Sequence, residues 1–384
     1  MHADERSARA AADVARINAF FPIMPVLGNR WAASRPFEGR TIVLSAHLTT
    51  LTATLLRELS LGGGTWIVVG ASEATTDQGV VNLLRDYGMD VYAPGGREDH
   101  LARALDHEPD LLADVGGLLI ANAIERRPDL AKKIKAAVEV TRSGVTRLQG
   151  MKLPFGVINI NDSQLKYGVE NRHGVGEGLW HSVQTLTGMH LSGRRVGVIG
   201  YGPVGRGVAA YARAAGAAVE VVETNPIRRL YAHYDGYPVP RPEDMLKRVG
   251  IVVTASGRIG VLKVSDLAGA REGIVLVNVG HGNDEIDVQG ILSASSGVDH
   301  VAEKVVRYKL EGGPTVVLLA GGHPLNIVMN SGSPEPVLLH FALLGLTLEW
   351  LTGNPVAPGM IDVLPAIEEE AANLALQALG MGHG

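Results

Sequence analysis

The stretch Arg195–Gly207, RVGVIGYGPVGRG, decides the fold of this chain. A short apolar strand is followed by Gly200, Gly202 and Gly205 in G-x-G-x-x-G spacing, and then by a helical pattern that includes Val204. In this spacing the first glycine permits a tight turn, the second lets a pyrophosphate approach the backbone, and the third lets helix and strand pack closely. The helix start offers N–H groups and the positive end of its dipole to phosphates. The stretch predicts a Rossmann-type dinucleotide site, and a glycine-rich structural turn is the alternative.

Polar residues at the ends of the following strands extend this prediction. VEVVE ends at Glu223, about twenty residues beyond the loop, where an acid accepts from the adenine ribose hydroxyls. A carboxylate repels a 2′-phosphate, so NAD is favoured over NADP. We also expect Asn225, Thr254, Ser256 and Asn278 to contact the cofactor, because ligands of open α/β sheets bind at the carboxyl ends of strands.

The rest of the chain alternates in the same way between short β-branched runs and longer runs rich in Ala, Leu and Arg, as in TIVLSAH, LTATLLRELSLG and TWIVVGA. This alternation predicts an α/β fold with two doubly wound parallel-sheet domains, the NAD-binding one of Rossmann type. We expect a substrate-binding domain that begins with residues 1–175, a hinge helix at 176–192, the Rossmann domain at 193–330, and a helical return to the substrate domain at 331–384.

Composition excludes several classes of protein. The 384 residues carry 35 Lys and Arg against 40 Asp and Glu, and no basic patch is evident, so we expect neither a nucleic-acid nor a membrane partner. The chain has no cysteine, which excludes disulfides and thiolate chemistry, and its histidines lack metal-ligand spacing, so we assign no metal. No signal peptide is visible, and we expect a cytoplasmic enzyme with a small-molecule partner.

Several motifs resemble one family along nearly the whole chain, the S-adenosylhomocysteine hydrolases. The motifs are LSAHLTTLTATLLREL, INDSQLKYGVEN, GYGPVGRGVA and NVGHGNDEID, in colinear order. The resemblance implies a bound NAD that oxidises the 3′-hydroxyl of an adenine nucleoside. The resulting ketone acidifies the neighbouring C4′ proton, the 5′ thiol is eliminated, water adds, and the hydride returns. S-adenosylhomocysteine would thereby give adenosine and homocysteine.

The same resemblance assigns roles to residues of this chain. It implies catalytic roles for His47, Lys166, Glu170, Asn171 and Asp114, with Lys166 as the base for the 3′-hydroxyl and His47 acting at the 5′ end. It also implies contacts to substrate from Thr49, Thr141, Lys166, Glu170, His281, His323 and Asn326, with Thr141 near the cofactor as well.

Three family acids are replaced by apolar residues, namely Leu51, Val115 and Val140. The chain also ends at Gly384 without the family's carboxyl-terminal tail, and we expect a homo-oligomer, a dimer or a tetramer. The replacements leave two alternatives to the ordinary activity. One is a diverged enzyme that uses 3′-oxidation for epimerisation or elimination on another nucleoside or sugar. The other is a non-catalytic NAD-binding regulatory protein. A 2-hydroxy acid dehydrogenase is disfavoured, because His281 stands where such enzymes need an arginine for the substrate carboxylate and no arginine follows the strand IVLVNVGHG within reach.

Overall fold

The structure is a computed structural model that describes residues 3–280, 282–330 and 333–381. It divides into two compact units, and each has its own sheet and core. The first unit comprises Met1–Glu170 and Pro334–Gly384, and the second comprises Asn171–Ser333. The expected α/β class with two parallel-rich sheets is confirmed.

The strands are, in chain order, β1 Thr41–Ala46, β2 Thr65–Gly70, β3 Asp90–Tyr92, β4 Leu111–Asp114, β5 Ala136–Glu139, β6 Gly156–Asn159, β7 Arg195–Ile199, β8 Ala218–Val222, β9 Ile251–Thr254, β10 Ile274–Asn278, β11 Ser295–Ala302, β12 Val305–Leu310, β13 Thr315–Leu319 and β14 Gly359–Asp362. The helices are α1 Ala3–Phe20, α2 Ile23–Ser34, α3 Thr50–Leu61, α4 Gln78–Asp86, α5 Glu98–Leu105, α6 Leu118–Arg126, α7 Pro128–Ala131, α8 Arg142–Leu148, α9 Val175–Thr187, α10 Pro203–Ala214, α11 Pro226–Tyr234, α12 Pro242–Leu246, α13 Val288–Ser293, α14 Leu325–Val328, α15 Pro334–Gly353 and α16 Pro365–Ala378.

The sheet of the first unit has seven strands in the order β14-β6-β5-β4-β1-β2-β3, all parallel. Its strands are short runs of buried apolar residues. Ile42 and Leu44 face one core, whereas Val43 between them faces another, because successive side chains of a strand point to opposite faces. Helices therefore cover both faces of this sheet, as a parallel sheet requires.

The sheet of the second unit has the order β11-β12-β13-β10-β9-β7-β8. Five of its strands form the parallel Rossmann part, whereas β12 pairs antiparallel with both β11 and β13. The segment that we expected to be a hinge helix contains most of α9, which packs on α10. This packing is close, because a Cβ built on Gly176 of α9 would lie 2.7 Å from the carbonyl carbon of Gly207 in α10.

Helix α15 is long and apolar enough to meet a simple length and hydropathy test for a membrane span, and α1 with α2 would do so only as a pair bent by 98°. In α15, 61% of the most apolar window is buried inside the protein. Its leucines pack in the same core as α2 and α3, so α15 is a core helix of the first unit.

Candidate functional site

The glycine-rich loop of the second unit has the geometry that dinucleotide binding requires. Gly200 lies at φ +102°, a backbone conformation that favours glycine, and α10 begins at Pro203. A Cβ on Gly205 would overlap the carbonyl oxygen of Gly200, whereas a Cβ on Gly202 would meet nothing closer than Arg228 Nη1 at 3.8 Å. The loop therefore has no room for a side chain at Gly205, whereas the space beside Gly202 is open. This open cradle at a helix start fits the pyrophosphate of NAD.

Glu223 follows β8 and accepts hydrogen bonds from the backbone of two loops. Its Oε2 accepts from Tyr201 N at 2.8 Å, and its Oε1 accepts from Thr224 N at 2.7 Å and from Asn225 N at 2.8 Å. An ionised carboxylate has about four lone-pair sites, so it can still accept from ribose hydroxyls. Asn225 caps α11 by accepting from Ile227 N at 3.0 Å. Of these two predicted cofactor residues, Glu223 suits direct contact and Asn225 shapes the loop.

Two other predicted cofactor residues, Asn278 and Thr254, form a buried scaffold, and a third, Ser256, is partly buried. Asn278 Oδ1 accepts from Thr254 Oγ1 at 3.0 Å, and Asn278 Nδ2 donates to the carbonyl of Gly322 at 2.8 Å. Both Asn278 and Thr254 are fully buried. Ser256 donates through its N and its Oγ to Glu285 Oε2, each at 3.0 Å. Glu285 is buried but could not be predicted from the sequence, because an acid within a loop carries no pattern that shows it to be buried.

The late loop of the second unit carries two predicted substrate residues. His323 follows Gly322, whose carbonyl accepts a hydrogen bond from Asn278 Nδ2. Burial lowers the pKa of the His323 imidazole. Asn326 is buried in α14. His281, the third predicted substrate residue in this unit, lies outside the described residues.

The predicted residues of the first unit follow strands that end at one edge of the sheet. Leu44 of β1 pairs with Ala113 of β4, Ala113 with Val138 of β5, and Val138 with Ile158 of β6. His47, Asp114, Thr141 and Lys166 each end one of these strands or come shortly after it. The structure therefore brings them to the carboxyl edge of a parallel sheet, where ligands of such folds bind.

His47 is half-buried just after β1. Its Nδ1 lies 2.7 Å from Thr75 Oγ1, and its carbonyl accepts from Thr52 Oγ1 at 2.6 Å. Thr49 is the N-cap of α3 and accepts from Thr52 N at 3.5 Å. The contact with Thr75 orients the imidazole, while Thr49 contributes to the turn that holds it.

Lys166 and Glu170 form a buried ion pair. Lys166 Nζ donates to Glu170 Oε2 at 2.5 Å, with 11% and 7% of the two side chains exposed. Both residues lie in the π-helix Leu165–Gly174, a rare type of helix that is common at functional sites. Asn171, the third predicted residue of this segment, is the first residue of the second unit. Two adjacent charges that are almost removed from water require a chemical reason, because burial penalises each of them.

Asp114 and Glu139 are paired residues at the ends of β4 and β5, and both are fully buried. Asp114 Oδ2 accepts from Ile120 N at 3.0 Å and thereby caps the first turn of α6. Glu139 Oε1 accepts from Thr141 N at 2.8 Å and from Thr141 Oγ1 at 2.7 Å. Thr141 in turn caps α8. These contacts give Asp114 and Thr141 structural tasks, and the predicted catalytic role of Asp114 gains no support from them.

Because the pKa values of Asp114 and Glu139 are both raised, we expect the stability of the protein to fall as pH rises. Burial raises the pKa of Asp114 to about 6, and burial followed by the charge of Asp114 raises that of Glu139 to about 8. Both folded-state values lie above the unfolded ones, so the stabilisation is complete at low pH and is lost as pH passes through them. We expect the free energy of unfolding to fall by about 2 kcal/mol or more between pH 5 and pH 9.

Denaturant titrations at several pH values check this expectation. Glu139→Gln should flatten the pH dependence and raise stability at pH 9. Glu98→Gln, which changes an exposed glutamate, should leave the dependence unchanged. An equally steep dependence in Glu139→Gln would show that this carboxyl pair is not its source.

The three apolar replacements lie on the same core as α15. Leu51 and Val140 are buried in this core, and Val115 is partly buried against it. The carboxyl edge of the first sheet therefore has apolar side chains at three positions where the family resemblance implies acids. Among residues 3–280, 282–330 and 333–381, no group of three or more His, Asp or Glu is arranged to hold a metal ion.

Comparison with known proteins agrees with this geometry. The model of the S-adenosyl-L-homocysteine hydrolase NAD binding domain matches residues 171–332, nearly the whole second unit. The chain is 34% identical to S-inosyl-L-homocysteine hydrolase of Methanopyrus kandleri over 374 residues, covering 93% of this chain and 88% of that protein. It is 36% identical to adenosylhomocysteinase of Thermoplasma acidophilum over 344 residues, covering 87% and 84%.

Solved structures support the fold. A dipicolinate synthase from Bacillus halodurans matches with a TM-score of 0.54 at 14% identity, over 83% of this chain and 100% of that one. The resemblance of the motifs, the NAD cofactor and the Rossmann unit are thus confirmed. The chain belongs to the S-adenosyl-L-homocysteine hydrolase family, as an NAD-dependent enzyme of the hydrolase type.

Proposed function

We propose that this protein hydrolyses the thioether of an S-nucleosyl-L-homocysteine, giving a nucleoside and homocysteine. The observation that carries the proposal is the buried Lys166–Glu170 pair at the carboxyl edge of the first sheet, in a chain whose second unit has an NAD cradle. When bound, NAD would take a hydride from the 3′ carbon and later return it. The protein must supply a base, a proton carrier for the 5′ position and exclusion of water.

Lys166 is the proposed base. Once Nζ has released the proton of the ion pair to solvent, it would accept the 3′-hydroxyl proton while the hydride leaves the same carbon, and a ketone results. Glu170 holds Nζ at 2.5 Å and would stabilise the ammonium that forms. With Asn171 it would also contact the ribose hydroxyls, since both residues lie in the same helical segment as the lysine.

His47 is the proposed proton carrier at the 5′ position. As the C5′–S bond breaks it would give up a proton to the leaving sulfur, and it would take one from the water that adds. Its Nδ1 contact with Thr75 fixes the ring, so Nε2 is the nitrogen that would act. Thr49, His281, His323 and Asn326 remain proposed substrate contacts.

The direct test uses purified protein with bound NAD. We expect homocysteine, detected with a thiol reagent, from either S-adenosyl- or S-inosyl-L-homocysteine, the substrates in the names of the two relatives. The ratio of kcat/KM for the two substrates identifies the base that the site accepts. A protein that binds NAD and releases no thiol from either substrate would contradict hydrolysis.

A second candidate is oxidation of a nucleoside or sugar without thioether cleavage. The apolar residues Leu51, Val115 and Val140 favour it, because they leave the oxidation machinery in place and remove polar groups around it. NADH absorbance that appears with a nucleoside, without thiol release from either thioether, would support this candidate. The absence of both signals would instead support a regulatory NAD-binding protein.

We further propose a nucleoside-type small molecule as the partner, a homo-oligomer as the assembly and the cytoplasm as the location. Light scattering of the purified protein tests the assembly, and a dimer or a tetramer is expected.

A further inference from the structure

The first turn of the helix that carries Lys166 is held by a residue from a distant part of the chain. The π-helix Leu165–Gly174 begins one residue before the lysine. The backbone N–H of Leu165 donates to Glu368 Oε1 at 2.8 Å, a hydrogen bond between residues 203 positions apart. Both residues belong to the first unit. Glu368 lies in the first turn of α16, so the carboxyl-terminal helix contacts the segment of the proposed base.

The start of a helix needs acceptors for its backbone N–H groups, because these groups lack partners within the helix. Ser163 supplies two acceptors. Its Oγ accepts from Lys166 N at 3.1 Å, and its carbonyl accepts from Tyr167 N at 2.8 Å. Glu368 supplies the acceptor for Leu165 N. A carboxylate is a stronger acceptor than a neutral oxygen, and its negative charge is favourable at the start of a helix. Glu368 thus adds a tertiary contact to the two local ones.

The three consecutive glutamates of α16 have different surroundings. Glu368 is partly buried, Glu369 is exposed, and Glu370 forms a salt bridge with an arginine of α2. The flanking residues Ile367 and Ala371 are buried in the core of the first unit and hold α16 in place. Glu368 therefore reaches the π-helix from a fixed position. Its two neighbours provide controls of the same residue type in the same helix.

The reaction proposed above requires a base that is placed accurately. Lys166 is the second residue of the π-helix, in a terminal turn, and terminal turns fray most readily. Movement of this turn would displace Nζ from Glu170 and from the 3′-hydroxyl. A displacement of about 1 Å can lower the rate of a chemical step by about 100-fold. The base therefore needs a first turn that does not move.

We propose that Glu368 is a positioning residue: by accepting from Leu165 N it fixes the first turn of the π-helix, and with it the direction in which Lys166 Nζ approaches the hydroxyl to be oxidised. This inference rests on the proposed function, in which Lys166 is the base. Glu368 acts through the backbone of the π-helix and transfers no proton. The carboxyl-terminal helix thus supports the oxidation step, although it lies far from the lysine in the sequence.

The first test compares variants by single-turnover formation of NADH at saturating nucleoside. Glu368→Leu removes the acceptor, and the rate should fall roughly 10- to 100-fold. The Kd for NAD should not change, because the NAD cradle lies in the second unit. Glu368→Gln keeps an oxygen that can accept from Leu165 N, so its rate should stay within about threefold of the wild type. Glu369→Leu and Glu370→Gln, the matched controls, should form NADH as fast as the wild type.

A double-variant cycle separates positioning from general stability. In a protein that already carries Lys166→Met, adding Glu368→Leu should change the residual rate by less than about threefold, because no base is left to position. Weakening of the whole fold would instead lower the rate equally in both backgrounds. Three results would each overturn the proposal: a Glu368→Leu protein as fast as the wild type, a Glu368→Gln protein as slow as Glu368→Leu, or a full loss in the Lys166→Met background.

A second readout needs no substrate. Gln164–Leu165 is the only glutamine–leucine pair in the chain, so ¹³C-carbonyl glutamine and ¹⁵N-leucine together label both atoms of a single peptide bond. Its amide proton should exchange faster with solvent in Glu368→Leu and at the wild-type rate in Glu369→Leu. Unchanged exchange in Glu368→Leu would contradict the contact. If exchange changes as expected while the wild type forms no NADH with any nucleoside, the contact stands, and the proposed reaction fails together with the role given to Glu368.

Discussion

Lys166→Met is expected to lower the rate of substrate oxidation by about 1,000-fold, the loss that follows removal of a general base. Methionine fills a similar volume and cannot accept the hydroxyl proton, so NAD should remain bound and unreduced. The measurement is NADH absorbance after rapid mixing with nucleoside, together with thiol release from the thioether substrate. Both signals should fall to the same extent, because oxidation precedes elimination in the proposed sequence.

A control for Lys166→Met is needed because Glu170 keeps its charge when Lys166 is replaced. Glu170 would be buried without its cation, and an unpaired buried charge is strongly destabilising. The double variant Lys166→Met with Glu170→Gln removes that charge and should regain stability without regaining activity. Lys152→Met, at an exposed lysine, should behave as the wild type. A Lys166→Met protein that keeps more than a tenth of the wild-type oxidation rate would remove Lys166 from the role of base.

Gly205→Ala is expected to disrupt the second unit, with a loss of several kcal/mol in the free energy of unfolding. The added methyl group would overlap the carbonyl oxygen of Gly200, a backbone atom that cannot move without displacing the end of β7. Thermal unfolding and circular dichroism measure this loss. NAD binding should disappear with the fold of the loop.

Gly202→Ala separates packing from cofactor binding at the same loop. A Cβ at Gly202 has room in the protein, with Arg228 Nη1 at 3.8 Å as its neighbour, so the variant should fold with nearly the wild-type Tm. The methyl group would occupy the space that the pyrophosphate needs, and the Kd for NAD should rise at least 10-fold. If Gly202→Ala binds NAD as tightly as the wild type, the pyrophosphate lies elsewhere.

The Rossmann part of the fold could be predicted because its signal is local. The strand, the three glycines and the helix lie within the thirteen residues Arg195–Gly207, and each residue type follows from the geometry of one turn. The hairpin β11–β12 was not predicted, because nearly all of β11 is exposed and it lacks an apolar pattern. Strand β14 was missed for a similar reason, since two of its four residues are exposed and the other two are only partly buried.

In the candidate site, too, the residues of one local motif could be predicted, whereas contacts between distant parts of the chain could not. Lys166 and Glu170 could be found because they lie four residues apart in one motif. The partnership of Asp114 with Glu139 depends on the register of β4 against β5, which no local pattern shows. His340 lies in an apolar run that reads as core, and no local pattern shows that its Nδ1 is buried without a hydrogen-bond partner in the described residues. Contacts of this kind arise from tertiary structure.

Strand β14 also affects the order in which the protein can fold during synthesis. Six strands of the first sheet are complete when residue 159 has been made, but residues 359–362 form the seventh and pair with β6. At roughly 5–20 residues per second, a ribosome needs about 10–40 seconds to make the intervening 199 residues (359 minus 160). Throughout that time β6 presents an open edge, a surface prone to pairing with other chains. The sheet of the first unit is therefore completed only after the whole second unit has been translated, and β14 then takes the place of β6 as the edge strand.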